Sequence, residues 1–386
     1  MRIFIAVLAL VLTATCAPVG AAPSASPVPS GSLPASSTPS ASLLAGSTFT
    51  MPADRDMIEF LADEGSLIAY SSKDAPPPYD SKIQRADPAT NTWRTIYQTD
   101  AMFMQQRVAA GRIALLEYRE PFQGSGAFSV KVVVVDLSSG RATTVDEYAL
   151  TSATYHGGGG GPRRPWSALT LGPDRIAWTR LIEGPGGSIT GELEIASLTD
   201  PTPHQAIASS GEWIAPLAID ATRLVYVVGG KTEDQLHVRD VASGGDTIVA
   251  RATVGNTAVV GSPGIDYAAV SGKWAVWPES ATAPTAKGAP SFSATIHALD
   301  LTTRAERTFD AGGAYCPRIT AGSRYFAWYC GSLAEPNPQL YDAATLQPAT
   351  AVPPGVGVGA VAADDGVIWF NLVPNGRTVT LFRPRS

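Results

Sequence analysis

Gly172–Arg180 reads GPDRIAWTR and Ser271–Trp277 reads SGKWAVW. In both, a turn leads directly into a short, continuously apolar run. Five further runs have the same form: SLIAY at Ser66, RIALL at Arg112, RLVYV at Arg223, RYFAWY at Arg324 and GVIWF at Gly366. The turns before the seven runs contain Gly65, Gly111, Gly172 with Pro173 and Asp174, Asp220, Gly272, Gly322 and Gly366, residues that tight hairpins require. A weakly apolar segment precedes each turn, such as IEFLA, WSALTL or IAPLAI. A third segment ending in Asp follows most runs: VVVVDLSSG, LHVRDVASG, IHALDLTTR and QLYDAATLQ. A short fourth segment comes next, as in TWRTIYQ, RATTVDEY, DTIVARA and ERTFDAG.

The last large apolar residue of each run falls at Tyr70, Leu115, Trp178, Tyr226, Trp277, Trp328 and Trp369, a spacing of roughly fifty residues that, with four strands per unit, predicts an all-β propeller. The second strand would lie in the middle of a blade, covered on both faces, which explains continuous apolar runs where half-buried strands alternate. Seven blades is the expected number, with six or eight as alternatives. The seventh repeat stops one strand short, and residues 46–52, GSTFTMP, alternate Phe49 and Met51 ahead of the first blade. They are expected to supply the missing outer strand and close the ring, protecting an edge that would otherwise pair with other chains.

GPDRIAWTR and SGKWAVW resemble the TolB-like propeller repeat, whose second strand follows a Pro-Asp-Gly-type turn; here the Pro-Asp pair stands in the third copy alone. The resemblance covers residues 55–386 and implies fold, since such propellers host binding, scaffolding and catalytic roles alike.

The N-terminus begins MRIFIAVLALVLTATC, one positive charge at Arg2 and then an apolar run too short to span a bilayer permanently. Residues 1–22 read as an export signal. LTATC resembles the lipobox that ends in an acylated cysteine, here Cys16, although Thr13 stands where that pattern has leucine; ordinary cleavage near Ala21 is the alternative. Residues 17–45 contain little beyond Ala, Pro, Ser and Gly, cannot bury enough apolar area to offset ordering, and read as a tether. Residues 46–386 then form the propeller domain. The expected location is extracytoplasmic, lipid-anchored to the membrane or secreted. A formal net charge of −6 argues against nucleic acid, which needs a concentrated basic surface.

The stretch from Tyr155, YHGGGGGPRRPW, invites comparison with an esterase oxyanion loop, but such a loop works with a G-x-S-x-G nucleophile and the chain has none. It reads as a blade-to-blade connection. His237 and His297 both stand three residues before a third-strand Asp. Equivalent positions in adjacent blades lie about 10 Å apart, whereas ligands of one zinc must approach it to about 2 Å, so no metal site is expected, and no cofactor. Asp87, Asp136, Asp240, Asp300 and Asp342 are expected to accept backbone N–H groups in the turns that follow them. Charges on the inner strands, Glu59, Arg107, Asp266 and Arg318, are candidates to line the central channel.

Cys316 and Cys330 flank Ser323 at equal distance, which predicts a disulfide across the sixth hairpin and leaves Cys16 for the lipid. Loop length predicts the working face. Second-to-third-strand loops and blade-to-blade connections share one face, and the long stretches belong to them. Aromatic and arginine anchors there are Tyr79, Arg119, Phe122, Phe128, Arg163, Arg164, Arg180 and Phe292. The expected function is a binding or scaffold module for an envelope protein, peptide or glycan; the alternative is a propeller hydrolase or lyase acting at the channel mouth.

Overall fold

The computed structural model describes residues 43–50, 57–63, 66–72, 79–87, 90, 92–119, 128–151, 167–201, 203–253, 268–283, 291–311, 318–321, 324–331, 336–349, 359–363, 366–372 and 378–384. Apart from one 3-10 turn at Pro185–Gly187, their regular structure is all strand. β1 (Leu43–Thr50) stands alone before the first repeat. Blade 1 holds β2 (Met57–Asp63), β3 (Ser66–Ser72), β4 (Ser81–Asp87) and β5 (Thr92–Thr99), and blade 2 holds β6 (Met102–Ala109), β7 (Arg112–Arg119), β8 (Phe128–Asp136) and β9 (Ala142–Leu150). Blade 3 comprises β10 (Leu169–Leu171), β11 (Arg175–Glu183), β12 (Ile189–Ser197) and β13 (His204–Ser210). In blade 4 the strands are β14 (Trp213–Ile219), β15 (Arg223–Gly229), β16 (Glu233–Asp240) and β17 (Asp246–Thr253). Blade 5 contains β18 (Ala269–Ser271), β19 (Trp274–Ala283), β20 (Ser291–Asp300) and β21 (Glu306–Asp310). Then come β22 (Arg318–Ala321), β23 (Tyr325–Gly331) and β24 (Pro336–Asp342), followed by β25 (Gly359–Ala363), β26 (Gly366–Leu372) and β27 (Thr378–Pro384).

Each group is an antiparallel sheet ordered as in the sequence, which makes the chain a β-propeller. The inner strands touch in succession, β2 to β6, β10, β14, β18, β22 and β25, and β25 touches β2. β1 pairs antiparallel with β27, Thr50 opposite Thr378 and Leu43 opposite Pro384. The strand therefore begins at Leu43, so residues 43–45 belong to it and not to the tether expected over 17–45.

The core is divided into layers between consecutive blades. Alternation along the second strand makes this possible: Trp178 packs with Leu116, Val132 and Tyr148 of blade 2, while its neighbour Ala177 packs with Ile214, Leu224 and Tyr226 of blade 4. Both faces of the sheet are buried, and the sequence is apolar at every step of IAW. Equivalent layers join blades 1 and 2 through Ile68, Ile113 and Val133, blades 4 and 5 through Val225, Leu236 and Trp277, and blades 5 and 6 through Val276, Phe326 and Trp328.

The third-strand aspartates close the turns beyond them. Asp136 Oδ1 accepts from the backbone N–H of Ser138 at 3.0 Å and of Ser139 at 2.8 Å, and Asp300 and Asp342 accept in the same way from Thr302 and Thr303 and from Ala344 and Thr345. Hydrogen bonds from Ser138 and Ser139 hold the Asp136 carboxyl well below the usual carboxylate range. In the turn after Asp136, Gly140 has φ +74°, and a Cβ there would meet Ile96 O at 2.7 Å; the turn needs glycine both for its backbone and for its approach to blade 1.

In the sixth blade Arg318 lies opposite Tyr329 and Ala321 opposite Phe326. Cys316 falls outside the described residues.

Candidate functional site

Three successive blades carry polar groups at equivalent places on the face turned toward the preceding blade. In blade 4, Tyr226 on β15 lies opposite His237 on β16, and the first residue of β17, Asp246, follows on the same face. In blade 5 the corresponding residues are Trp277, His297 and Glu306. Blade 3 has Trp178, then Glu194 where the other two have histidine, then His204 where they have an acid.

The blade 4 and blade 5 histidines stack on their aromatic neighbours, His237 on Tyr226 at 4.8 Å and His297 on Trp277 at 5.1 Å between centroids. Tyr226 donates its hydroxyl to Asp246, and His237 Nδ1 stands 3.3 Å from the other oxygen of that carboxylate. Burial, with the hydrogen bond and charge of Asp246, pushes the Tyr226 phenol above its ordinary pKa. His297 is gripped from both ring nitrogens, Nδ1 by Glu306 at 2.5 Å and Nε2 by Glu279 at 3.3 Å. Burial alone would lower its pKa, but the two carboxylates outweigh it and the net shift is upward.

Blade 3 is wired to its neighbour instead. Trp178 Nε1 donates to Asp146 Oδ2 on β9 at 3.0 Å, and Arg180 Nη1 to Asp146 Oδ1 at 3.3 Å. Arg180 also lies over the Tyr148 ring at 5.7 Å and 3.5 Å from His204 Nε2. These contacts pin blade 3 to blade 2. Glu194 beside them is buried, and its Oε2 has no hydrogen-bond partner. Burial raises its pKa, Glu192 and Asp146 add to the rise, and His204 and Arg180 oppose it. His204 therefore lies beside the Glu194 carboxyl and acts on it electrostatically. Neither Glu194 nor Asp146 was singled out in the sequence, because the pattern His-x-x-Asp that marks blades 4 and 5 is absent from blade 3. Only counting across the strand register from Trp178 reaches them.

The expected binding residues separate. Arg119 ends β7 and pairs with Asp100 Oδ1 at 2.6 Å, while the Tyr79 backbone N–H donates to Asp100 O at 3.1 Å. The structure thus brings Tyr79 and Arg119 together around Asp100 at the junction of blades 1 and 2. Phe128 is corrected: it begins β8, is 6% exposed and packs on Tyr118 at 4.7 Å between rings. The apolar pocket between blades, not solvent, claims it. Arg180 is likewise mid-strand and bound to Asp146, not on a loop. Phe292 lies within β20 opposite Thr282, because the hairpin strands run further than composition suggested. Phe122, Arg163 and Arg164 lie outside the described residues. Of the channel candidates, Glu59, Arg107 and Arg318 are on inner strands; Arg107 is exposed and bonds to Gln106 O, and Asp266 lies outside the described residues. Among the described residues no three His, Cys, Asp or Glu side chains are placed to hold a metal ion.

No protein-family model matches the chain, and no curated protein matches it. Solved structures of similar architecture include oligogalacturonate lyase from Vibrio parahaemolyticus, 9% identical over 90% of this chain and 98% of that one with a TM-score of 0.48. TolB from Acinetobacter baumannii is 13% identical over 82% and 79%, TM-score 0.38. The β-propeller domain of the Trilobed protease from Pyrococcus furiosus is 13% identical over 73% and 82%, TM-score 0.43. These are likenesses of fold, TolB-type propellers among them.

Proposed function

We propose that the protein is an exported β-propeller, held at an envelope membrane through a lipid on Cys16, that captures an envelope protein, peptide or glycan. One observation carries this reading: the two ends of the blades are built differently. At one end the connections are short, as between β6 and β7 at 110–111 or β25 and β26 at 364–365, and aspartates close several of the rest. At the other end run the long connections, 73–80, 120–127, 151–168, 254–268 and 284–290, and there Arg119 at the end of β7 and Asp100 between β5 and β6 present exposed, paired charge. Long loops on a fixed scaffold are where binding is most often placed. Alanine at Tyr79 and Arg119 is expected to lower capture of envelope material in a crosslink and pull-down while the melting temperature holds, and alanine at Asp63 and Asp364 to leave capture unchanged. Capture that follows the Asp63 and Asp364 variants would place function on the other end. Cys16→Ala is expected to release the protein from membranes; a wild-type protein already soluble would remove the lipid from the proposal.

A further inference from the structure

A cleft of about 280 Å³ opens between blades 3 and 4 at the short-turn end, away from the proposed binding face. Ile195, Ile207 and Val241 give it apolar surface; Arg175, Arg239 and Gln205 give it polar groups. The arginines are the unusual feature. Residues that open second strands elsewhere reach the next blade: Arg112 Nη1 donates to Pro173 O at 3.3 Å and Arg223 Nη2 to Gly272 O at 2.5 Å. Arg175 holds the same place in blade 3, yet it points into the cleft. Its Nε is buried without a hydrogen-bond partner among the described residues, and the Asp174 carboxylate makes only a loose ion pair with it at 3.8 Å. Arg239, half-buried across the cleft, forms no ion pair among the described residues, and Asp246 opposite it is engaged by Tyr226 and His237. Asp240 is spent on the turn, accepting from Ser243. Two guanidinium groups, one with a single loose carboxylate contact and one with no ion pair among the described residues, thus face one partly apolar cleft with donors to offer an anion.

We infer that this cleft is a binding site for a compact carboxylate with an apolar body. Guanidinium forks match a carboxylate in two parallel hydrogen bonds, and the Ile195, Ile207 and Val241 surface takes a short hydrocarbon. Gln205 is placed to read a further oxygen. The site is independent of the capture face proposed above.

The test titrates the full chain with hexanoate, followed by calorimetry, with hexanamide and inorganic phosphate as controls. Saturable hexanoate binding is expected, with hexanamide and phosphate each weaker by about tenfold or more, since each lacks one of the two features. Arg239→Gln and Arg175→Gln are each expected to weaken hexanoate by a similar factor without moving the melting temperature, whereas Arg112→Gln, the same strand position in blade 2, leaves it unchanged. A short peptide ending in a free leucine carboxylate, compared with its amidated form, distinguishes a chain terminus from a free acid as the source of the group. No saturable hexanoate binding to the folded wild type, equal binding of hexanamide, equal binding of phosphate, or affinity untouched in both cleft variants would overturn the assignment.

Discussion

Blades 3 and 5 fill the same three strand positions with their charges exchanged: Trp178, Glu194 and His204 in one, Trp277, His297 and Glu306 in the other. In blade 3 the tryptophan N–H is satisfied by Asp146 and a carboxylate oxygen of Glu194 is not. In blade 5 the histidine is held by two carboxylates, and the buried Trp277 Nε1 has no hydrogen-bond partner among the described residues. Equivalent backbone places thus have opposite needs. The preceding blade supplies the difference: β9 offers Asp146 to Trp178, while no acceptor among the described residues reaches Trp277.

The sharpest way to break this comparison is to remove both indole N–H groups. Trp178→Phe leaves a buried oxygen of Asp146 without its donor and is expected to cost about 1–3 kcal/mol beyond the lost ring volume. Trp277→Phe removes a donor that was already unpaired and is expected to cost less. Denaturant midpoints measured on the two variants decide it, and equal losses would mean that the Asp146 contact contributes nothing.

A smaller effect should come from Glu194→Gln. A carboxyl whose folded pKa is raised adds stability below its ordinary value, near 4.5, and that contribution is lost as pH rises through the raised value. The variant is therefore expected to be more stable than wild type at neutral pH, the gain fading in acid. A gain that persists unchanged at pH 3 would point to packing and not to charge.

His297 sharpens the contrast from the other side. Its folded pKa lies above 6.5, so its contribution is full below 6.5 and is lost as pH rises through the folded value. Replacing both Glu279 and Glu306 by Gln is expected to bring the imidazole titration, followed by NMR, below 6.5, since burial then acts unopposed. An unmoved titration would show that the carboxylates are not its cause.

The repeat was legible because each blade is made of local hairpins. RIAWTR after Pro173 and Asp174, and WAVW after Gly272, carry their turn and their burial in a few residues, and β11 and β19 follow them closely. LHVRD and IHALD were equally readable as strands ending in a capping aspartate. Phe128, Arg180 and Phe292 were misplaced for one reason: strand length depends on pairing with a partner strand, and loop composition does not stop a strand whose partner continues. Glu194 and Asp146 were invisible because the residues that give them meaning, Trp178 and Arg180, lie across a sheet register or on another blade.

By itself the sequence determined the all-β class, the order of strands within each repeat and the aspartate turns, all consequences of contacts between residues close along the chain. Only the tertiary structure decided that Asp146 serves Trp178, that His204 stands in the field of Glu194, and that Arg175 and Arg239 share one cleft. The physical reason is that blades meet face to face, so the partner of each inward side chain is set by packing between repeats that lie far apart in sequence.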